Sequence, residues 1–248
     1  MKIRCLYFMV LLNSLSAWDF VKDYPYREGS YPPFELSENQ RILLLTPPRT
    51  GSTFVYNILA YLFEDINFSH ISHNFNQKRV VKSHTQGVKL RNYDCLFISA
   101  KRSPLDMFDS ISRTNHIPMD MQNIKKLKYV SNAKPIYHYL SKKPLSKVLF
   151  LTYEKFVDNI NYLFDELEGF FSIEIPHEMR KKIEQMFSKE EMLKIQNRYK
   201  DFSQYDLVTG IHGAHIDKNH DSKNSSALTN SQIKQQFFDI YKMWGYSN

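Results

Sequence analysis

Short apolar runs alternate with stretches of helical periodicity along most of the chain. Strand-like segments lie at 42–45, 79–84, 95–100 and 148–156, the last including the exit from its strand. Apolar residues at helical spacing follow the first, third and fourth of these segments, and recur near the end of the chain at 229–244. Strands that alternate with helices indicate an α/β domain.

The loop at 46–53, between the first strand and the first helix, has the composition of an anion-binding loop. Gly51 allows the backbone to approach an anion closely, and the helix that begins after it offers unpaired N–H groups and a positive dipole end. Ser52 and Thr53 add hydroxyl donors, and Arg49 adds a charge that can bind phosphate or sulfate oxygens in a bidentate way. The loop is therefore predicted to hold an anion.

The same loop differs from the phosphate loop of nucleoside triphosphatases. That loop needs an earlier glycine and a lysine directly after its second glycine, where this chain has Ser52. A proline–glycine turn capped by serine, with no ligand, is the alternative that the pattern leaves open.

Polar side chains end the second strand candidate. Lys82 and His84 lie at its carboxyl end, and ligands of open α/β sheets bind beyond the carboxyl ends of the strands. Both side chains are therefore expected near the loop that contains Arg49. Histidine is suited to accept a proton there because its pKa lies near neutrality. A hydrogen-bonded structural histidine is the alternative.

A second strand-to-helix turn follows the third strand. Pro104 suits the first turn of a helix and Ser103 suits its N-cap. Arg102 ends the strand, and Ser110 lies eight residues later in the helix, where it can face back towards Arg102. These features favour a second anion site, the alternative being a surface arginine and a helix serine with no shared role.

Taken in order, these segments resemble the sulfotransferases that use 3′-phosphoadenylyl sulfate (PAPS). The Pro-Arg-Thr-Gly-Ser-Thr sequence at 48–53 is similar to their 5′-phosphosulfate loop, and Lys-Ser-His at 82–84 to their Lys-Thr-His segment. The stretch 102–110 is similar to their 3′-phosphate element, and 148–154 to a strand whose tyrosine contacts adenine. The resemblance runs from about residue 40 to the Trp-Gly-Tyr sequence at 244–246.

The resemblance implies a three-layer α/β/α fold with a short parallel sheet, which shares its general plan with nucleotide kinases. It also implies transfer of a sulfuryl group from PAPS to a hydroxyl or amine, with His84 as the general base and with Arg49 and Lys82 stabilising the charge that develops. The residues implied for donor binding are Arg49, Thr50, Gly51, Ser52, Thr53, Phe54, Arg102, Ser110, Tyr153, Ser188, Gly210 and Gly213. No metal is implied, since fixed cations and dipoles meet the charge of the donor.

The chain departs from the pattern of that family in its later part. Lys189 replaces the phenylalanine of a Ser-Phe-x-x-Met turn that begins at Ser188. A loop that closes over the 3′-phosphate in the family keeps only its two glycines, Gly210 and Gly213, whose N–H groups are expected to form an anion nest. A basic pair and a tryptophan of that loop are replaced by Val208, Thr209 and His215.

Two other classes of protein stay open. A nucleotide or small-molecule kinase shares the fold but needs a loop lysine and a metal-binding carboxylate. A non-catalytic descendant would bind the nucleotide without turnover. The sequence does not specify the acceptor, which can be a small molecule, a glycan or a peptide, nor the oligomeric state.

Composition further limits the classes of ligand that we expect the protein to bind. The net charge of +7 and pI of about 9.2 favour anionic ligands, but the basic residues are scattered, so we expect solvated faces and no nucleic-acid partner. Two cysteines, Cys5 and Cys95, form neither a disulfide framework nor a metal site. The histidines lack the carboxylates or cysteines that would complete a ligand set, so no metal is expected.

The first 17 residues combine a basic start with an apolar run at 5–12. That run is too short for a transmembrane helix, which needs about 20 apolar residues. A signal peptide and an N-terminal helix or edge strand are both compatible with it. Since PAPS is a cytosolic nucleotide, the resemblance favours the cytoplasm. Residues 18–248 are expected to form one domain, because no linker-like or repeated block appears and the length suits a single core.

Overall fold

A computed structural model describes residues 34–63, 79–85, 94–115, 133–206, 209–213, 216, 230–236 and 238–246. The described strands form one sheet in the order β2-β1-β3-β4, and all neighbouring strands are parallel. Their bounds are Gln40–Leu45 for β1, Val80–Ser83 for β2, Asp94–Lys101 for β3 and Val148–Thr152 for β4. The prediction of an α/β domain with a short parallel sheet is confirmed. The segment 1–17 lies outside the described residues.

In the described part of the chain, the helices other than Ala133–Leu140 follow the strands as the periodicity predicts. They are α1 Ser52–Leu62, α2 Pro104–Asn115, α3 Ala133–Leu140, α4 Tyr153–Asp158, α5 Ile160–Phe171, α6 His177–Met186, α7 Lys189–Gln196, α8 Asn230–Gln236 and α9 Phe238–Trp244, with a 3₁₀ turn at Leu145–Lys147. The helical stretch predicted at 229–244 is described as α8 and α9. None of the helices in the described ranges is long and apolar enough to cross a membrane.

Both faces of the sheet are buried, because alternate residues of each strand point to opposite sides. On one face, strand residues such as Ile42, Leu44 and Ile98 pack with apolar residues of α1, α4 and α5 in the largest core cluster. On the other face, Leu43, Val81, Phe97 and their neighbours pack against Ile136 and Leu140 of α3. The three layers implied by the sequence are therefore present.

The C-terminal helix packs beside the exit of β3. Ile240, Tyr241 and Trp244 of α9 form a separate cluster with Met107 and Phe108 of α2. The Trp244 carbonyl accepts a hydrogen bond of 2.9 Å from Lys101 Nζ at the end of β3. This packing fixes the start of α2 against the sheet.

The strand register determines where the candidate site lies. Leu45 of β1 pairs with Ser83 of β2, and Lys101 of β3 pairs with Thr152 of β4. The loop after β1 and the residues that follow β2, β3 and β4 therefore meet at one edge of the sheet, the edge where α/β proteins bind ligands.

Candidate functional site

The loop after β1 is anchored to the neighbouring strand by two buried threonines. Thr46 Oγ1 donates to the Ala100 carbonyl (2.9 Å) and accepts from the Ala100 N–H (3.2 Å). It also lies 2.7 Å from Thr50 Oγ1, which in turn donates to the Pro47 carbonyl (2.8 Å). Thr50 thus stabilises the conformation of the loop. The loop cannot shift without breaking the hydrogen bonds between Thr46 and β3.

Gly51 is required at the start of α1 by both its conformation and its surroundings. Its φ of 76° lies in the left-handed region, which favours glycine. A Cβ on Gly51 would lie 2.8 Å from Phe156 Cζ and 2.9 Å from Tyr153 Cδ2. The helix that follows has no side-chain N-cap bond and no acidic residue in its first turn. The positive end of α1 is therefore compatible with an anion.

Lys82 lies beside this helix start. Its Nζ donates to Thr53 Oγ1 over 3.2 Å and lies 5.8 Å from the centre of the Tyr56 ring. Burial lowers the pKa of Lys82 to about 7, because the protein around the amine solvates its charge less well than water does. A nearby anion would offset that cost and favour the charged amine.

His84 is held by the backbone of the same loop. Its Nδ1 lies 2.8 Å from the Thr46 carbonyl, and a carbonyl can only accept, so Nδ1 carries the hydrogen. Burial, with a smaller contribution from the charge of Lys82, lowers the pKa of His84 to about 4 despite the opposing effect of this hydrogen bond. The ring is neutral at physiological pH, and its lone pair is on Nε2.

Arg49, Arg102 and Ser110 form one connected group. Arg49 Nε donates to Ser110 Oγ (2.9 Å), and Arg102 Nη1 donates to the Arg49 carbonyl (3.0 Å). The Arg102 guanidinium also covers the ring of Tyr153, with Cζ 4.0 Å from the ring centre. Its Nε is buried and has no hydrogen-bond partner among the described residues. Arg49 itself has a φ of 67°, an uncommon conformation for a residue with a side chain.

The backbone N–H groups at the start of α2 are bonded within the protein, and anion binding by Arg102 and Ser110 stays a prediction. The Ser103 N–H donates to Glu154 Oε1 (2.8 Å), and the Leu105 N–H donates to the Tyr241 hydroxyl (3.3 Å). Glu154 Oε2 also accepts from Tyr246 (2.6 Å), and burial together with this carboxylate raises the pKa of Tyr246. Protein groups thus cap this helix, a pairing across more than 50 residues that no local pattern signals.

The rings predicted to contact adenine lie against the loop. Phe54 is parallel to Phe156, with ring centres 6.2 Å apart, and Tyr153 meets the same ring edge-on at 5.4 Å. Phe54 and Tyr153 are half-buried, whereas Phe156 is only 1% exposed. Phe156 belongs to the core and supports the loop, a role that the sequence did not reveal. Purine binding by the other two rings stays a prediction.

The backbone N–H groups of Gly210 and Gly213 form hydrogen bonds within the turn at 204–213. The Gly210 N–H donates to the Asp206 carbonyl (2.8 Å), and the Gly213 N–H donates to the Gln204 carbonyl (3.0 Å). An anion nest at the two glycines would therefore require the turn to rearrange. The Asp206 carboxylate accepts from Thr209, whose carbonyl accepts from Asn57 of α1 (3.1 Å). Val208 and His215 lie outside the described residues.

Ser188 caps α7, since its side chain accepts from the Glu191 N–H over 3.3 Å. This bond accounts for a serine at that position without a ligand, and contact with adenine stays a prediction.

Two residues that the sequence analysis did not place at the site lie against it. His212 is stacked on Phe202, with ring centres 4.3 Å apart and an interplanar angle of 12°. The guanidinium carbon of Arg49 lies 5.8 Å from the centre of the same phenyl ring. His212 lies between the two glycines of the predicted anion nest, and its partner Phe202 comes from an unpatterned loop. Across the described ranges, no group of three or more His, Cys, Asp or Glu residues could hold a metal ion.

Comparison with known proteins bears on the fold. No protein-family model matches the sequence, and no curated protein matches it at a significant level. Among solved structures, the crystal structure of mouse sulfotransferase SULT7A1 complexed with PAP is similar, with a TM-score of 0.52 at 12% identity over 84% of this chain and 85% of that chain. Retinol dehydratase in complex with androsterone and the inactive cofactor PAP has a TM-score of 0.49 at 12% identity over 84% of this chain and 82% of that chain. The parallel four-stranded sheet and the similarity to SULT7A1 show that the chain has the fold of the PAPS-dependent sulfotransferases.

Proposed function

We propose that the protein transfers a sulfuryl group from PAPS to a hydroxyl or amine of an acceptor. The observation that carries this proposal is the grouping of Arg49, Lys82 and a neutral His84 around the helix start at Gly51. Fixed cations and a helix dipole suit a sulfuryl donor, and an uncharged imidazole suits removal of the acceptor proton.

Two groups at the carboxyl edge of the sheet favour a bound anion. Burial lowers the pKa of the Lys82 amine to about 7, so part of its charge is lost near neutral pH. The buried Arg102 Nε has a hydrogen without a partner in the described part of the chain. Both conditions are relieved when an anionic group lies at the carboxyl edge of the sheet.

His84 is positioned to act as the general base. The bond from Nδ1–H to the Thr46 carbonyl fixes the tautomer, so Nε2 takes the acceptor proton. With a pKa of about 4 in the free protein, the ring is neutral but only weakly basic. Negative charge of a bound donor favours the imidazolium form, so the ring becomes a stronger base when the donor is present.

The transfer is an in-line displacement at sulfur. A bond forms between the acceptor oxygen and sulfur, and the bond between sulfur and the bridging phosphate oxygen breaks, leaving its electron pair on that oxygen. Arg49 and Lys82 stabilise the charge that develops there, while Ser52, Thr53 and the backbone N–H groups of the loop hold the phosphosulfate. Arg102 and Ser110 bind the 3′-phosphate, and Phe54 and Tyr153 contact the purine.

Calorimetry with 3′-phosphoadenosine 5′-phosphate (PAP) tests the donor class. The wild type is expected to bind PAP at micromolar concentration and to prefer it to ATP with Mg²⁺. Arg102→Ala should weaken PAP binding at least tenfold, because a charge-assisted contact is lost. Arg79→Ala is the matched control, since Arg79 is exposed just before the amino end of β2. Absence of PAP binding, or preference for ATP with Mg²⁺, would contradict the proposal.

Loss of the base tests the reaction. His84→Ala should leave PAP affinity within a few-fold of wild type and lower sulfuryl transfer from PAPS by a factor of about 10²–10⁴ on whichever phenol, alcohol or amine the wild type accepts. PAP binding without transfer to any acceptor in such a panel would instead identify a non-catalytic nucleotide-binding protein.

A further inference from the structure

The turn at 204–213 is firmly held over α1. Asn57, a buried residue of α1, donates to the Thr209 carbonyl, and Tyr205 and His212 form an antiparallel bridge. A Cβ on Gly213 would lie 2.5 Å from the Asp201 carbonyl oxygen, so the end of the turn packs against the preceding backbone at 199–201 without space for a side chain. The position of His212 is therefore set by the fold.

The imidazole of His212 and the guanidinium of Arg49 contact the same phenyl ring. The stacked geometry on Phe202 is supported by a hydrogen bond of 2.8 Å between His212 Nδ1 and the Phe202 carbonyl. Since a carbonyl only accepts, Nδ1 carries the hydrogen, as it does in His84. The ring is thus held in one orientation beside the candidate anion site.

The charges around His212 are positive. Burial lowers the pKa of His212, the hydrogen bond to the Phe202 carbonyl opposes this shift, and the charges of Lys82 from β2 and Arg49 from the β1 loop lower the pKa further. The nearby phenol is Tyr205, whose ring centre lies 4.9 Å away. The carboxylate of Asp206 is occupied by Tyr199 and Thr209, and that of Asp201 by Ser203. A neutral imidazole therefore lies in a field that a bound anion would reverse.

We propose that His212 is a further binding residue of the anion site, one that takes up a proton from solvent when the phosphosulfate end of the donor lies beside Arg49 and Lys82. This inference rests on the proposed function. The added proton goes to Nε2, because Nδ1 already carries the hydrogen bonded to Phe202.

Proton uptake makes donor affinity depend on pH in a defined direction. A bound anion raises the pKa of His212, so affinity increases as pH falls through the pKa of the complex and levels off below the lower pKa of the free protein. Each unit by which binding raises that pKa corresponds to a tenfold gain in affinity. The imidazole is thus a switch that strengthens binding in mildly acidic conditions.

Histidine NMR with PAP as the probe tests this directly. The imidazole resonances of His212 are assigned through their absence in His212→Gln and titrated with and without saturating PAP, and the pKa is expected to rise by one unit or more. Calorimetry in two buffers of different ionisation enthalpy should show that His212→Gln takes up fewer protons than wild type near pH 6. Subtracting the proton uptake of the variant from that of wild type removes the protons taken up by Lys82, His84 and the ligand phosphates. His177→Gln, an exposed residue at the start of α6, should leave the proton count unchanged.

The outcomes separate the two proposals. An unchanged pKa for His212 in the PAP complex, with equal affinity loss in His212→Gln at pH 6 and pH 8.5, would overturn the proton switch and leave the proposed function standing. If wild type does not bind PAP at any pH, both fail. Should His212→Gln not fold, through-bond assignment of the wild-type resonances gives the same titration without a variant.

Discussion

The loop conformation at Gly51 allows a quantitative prediction for Gly51→Ala. Two independent effects oppose the substitution: the backbone has φ 76°, and the new Cβ would overlap Phe156 and Tyr153 at 2.8–2.9 Å. Phe156 is 1% exposed and has no room to move away. The overlap must therefore be relieved by displacement of the loop itself.

The expected loss of stability in Gly51→Ala is the sum of three contributions. An alanine in the left-handed region costs about 1–2 kcal/mol, and overpacking against a buried ring costs about 1–3 kcal/mol. The lower conformational freedom of alanine in the unfolded chain offsets about 0.4–1 kcal/mol of this cost. Gly51→Ala should therefore lower the free energy of unfolding by about 1–4.5 kcal/mol, and each kcal/mol should lower Tm by about 2–4 °C in a chain of this size.

Urea and thermal denaturation measure the loss, with calorimetric PAP binding as a second readout. PAP affinity should fall more than tenfold, since small displacements of a binding loop are costly. Gly169→Ala is the matched control: Gly169 lies in α5, a Cβ there meets nothing within 4 Å, and the change should be neutral or stabilise by up to about 1 kcal/mol. Phe156→Leu should offset part of the loss, with a coupling of about 1 kcal/mol. If Gly51→Ala is as stable as wild type, or if the two substitutions are additive, the packing argument is refuted.

Three further predictions concern charges at the site. Arg49→Ala should lower turnover more than 100-fold but PAP affinity less than tenfold, and equal losses in both would contradict a role in the transition state. Lys82 has a pKa of about 7 in the free protein, which a bound anion raises, so its contribution to PAP affinity, measured by calorimetry as the difference between wild type and Lys82→Met, should be constant below that pH and decline above it by up to tenfold per pH unit; a difference that does not change with pH would contradict this. Asp206→Asn should lower the free energy of unfolding by about 1–3 kcal/mol in urea, because the buried carboxylate binds both Thr209 and Tyr199; wild-type stability would disprove it.

The sequence predicted most of the features that depend on local pattern. The strand, loop and helix around Gly51 could be recognised because a buried apolar run, a flexible residue and helical spacing follow each other directly. The contacts of Lys82 and His84 with residues of the stretch 46–53 followed from a general property of parallel sheets. Helix α3 was missed, although Ala133, Ile136 and Leu140 have helical spacing, because tyrosines and lysines among them obscured the period.

Contacts across the chain were beyond local pattern. Phe156 supports the loop from about 100 residues away, and Glu154 caps α2 from a neighbouring strand end. The same limit explains the turn at 204–213, where glycine spacing indicated an anion nest but the amides bond within the turn. His212 was not placed at the site because its relation to Arg49 runs through Phe202, a residue with no motif of its own.

One physical cause connects the three titratable groups at the site. Lys82, His84 and His212 all have lowered pKa values, since each is at least partly buried and each histidine also lies in the field of Lys82. The free protein thus limits repulsion by keeping both imidazoles neutral. A bound donor offsets the positive field and raises all three pKa values together. Under the proposed function, His84 would become a stronger base only after the donor has bound, which would couple removal of the acceptor proton to the presence of the sulfuryl group.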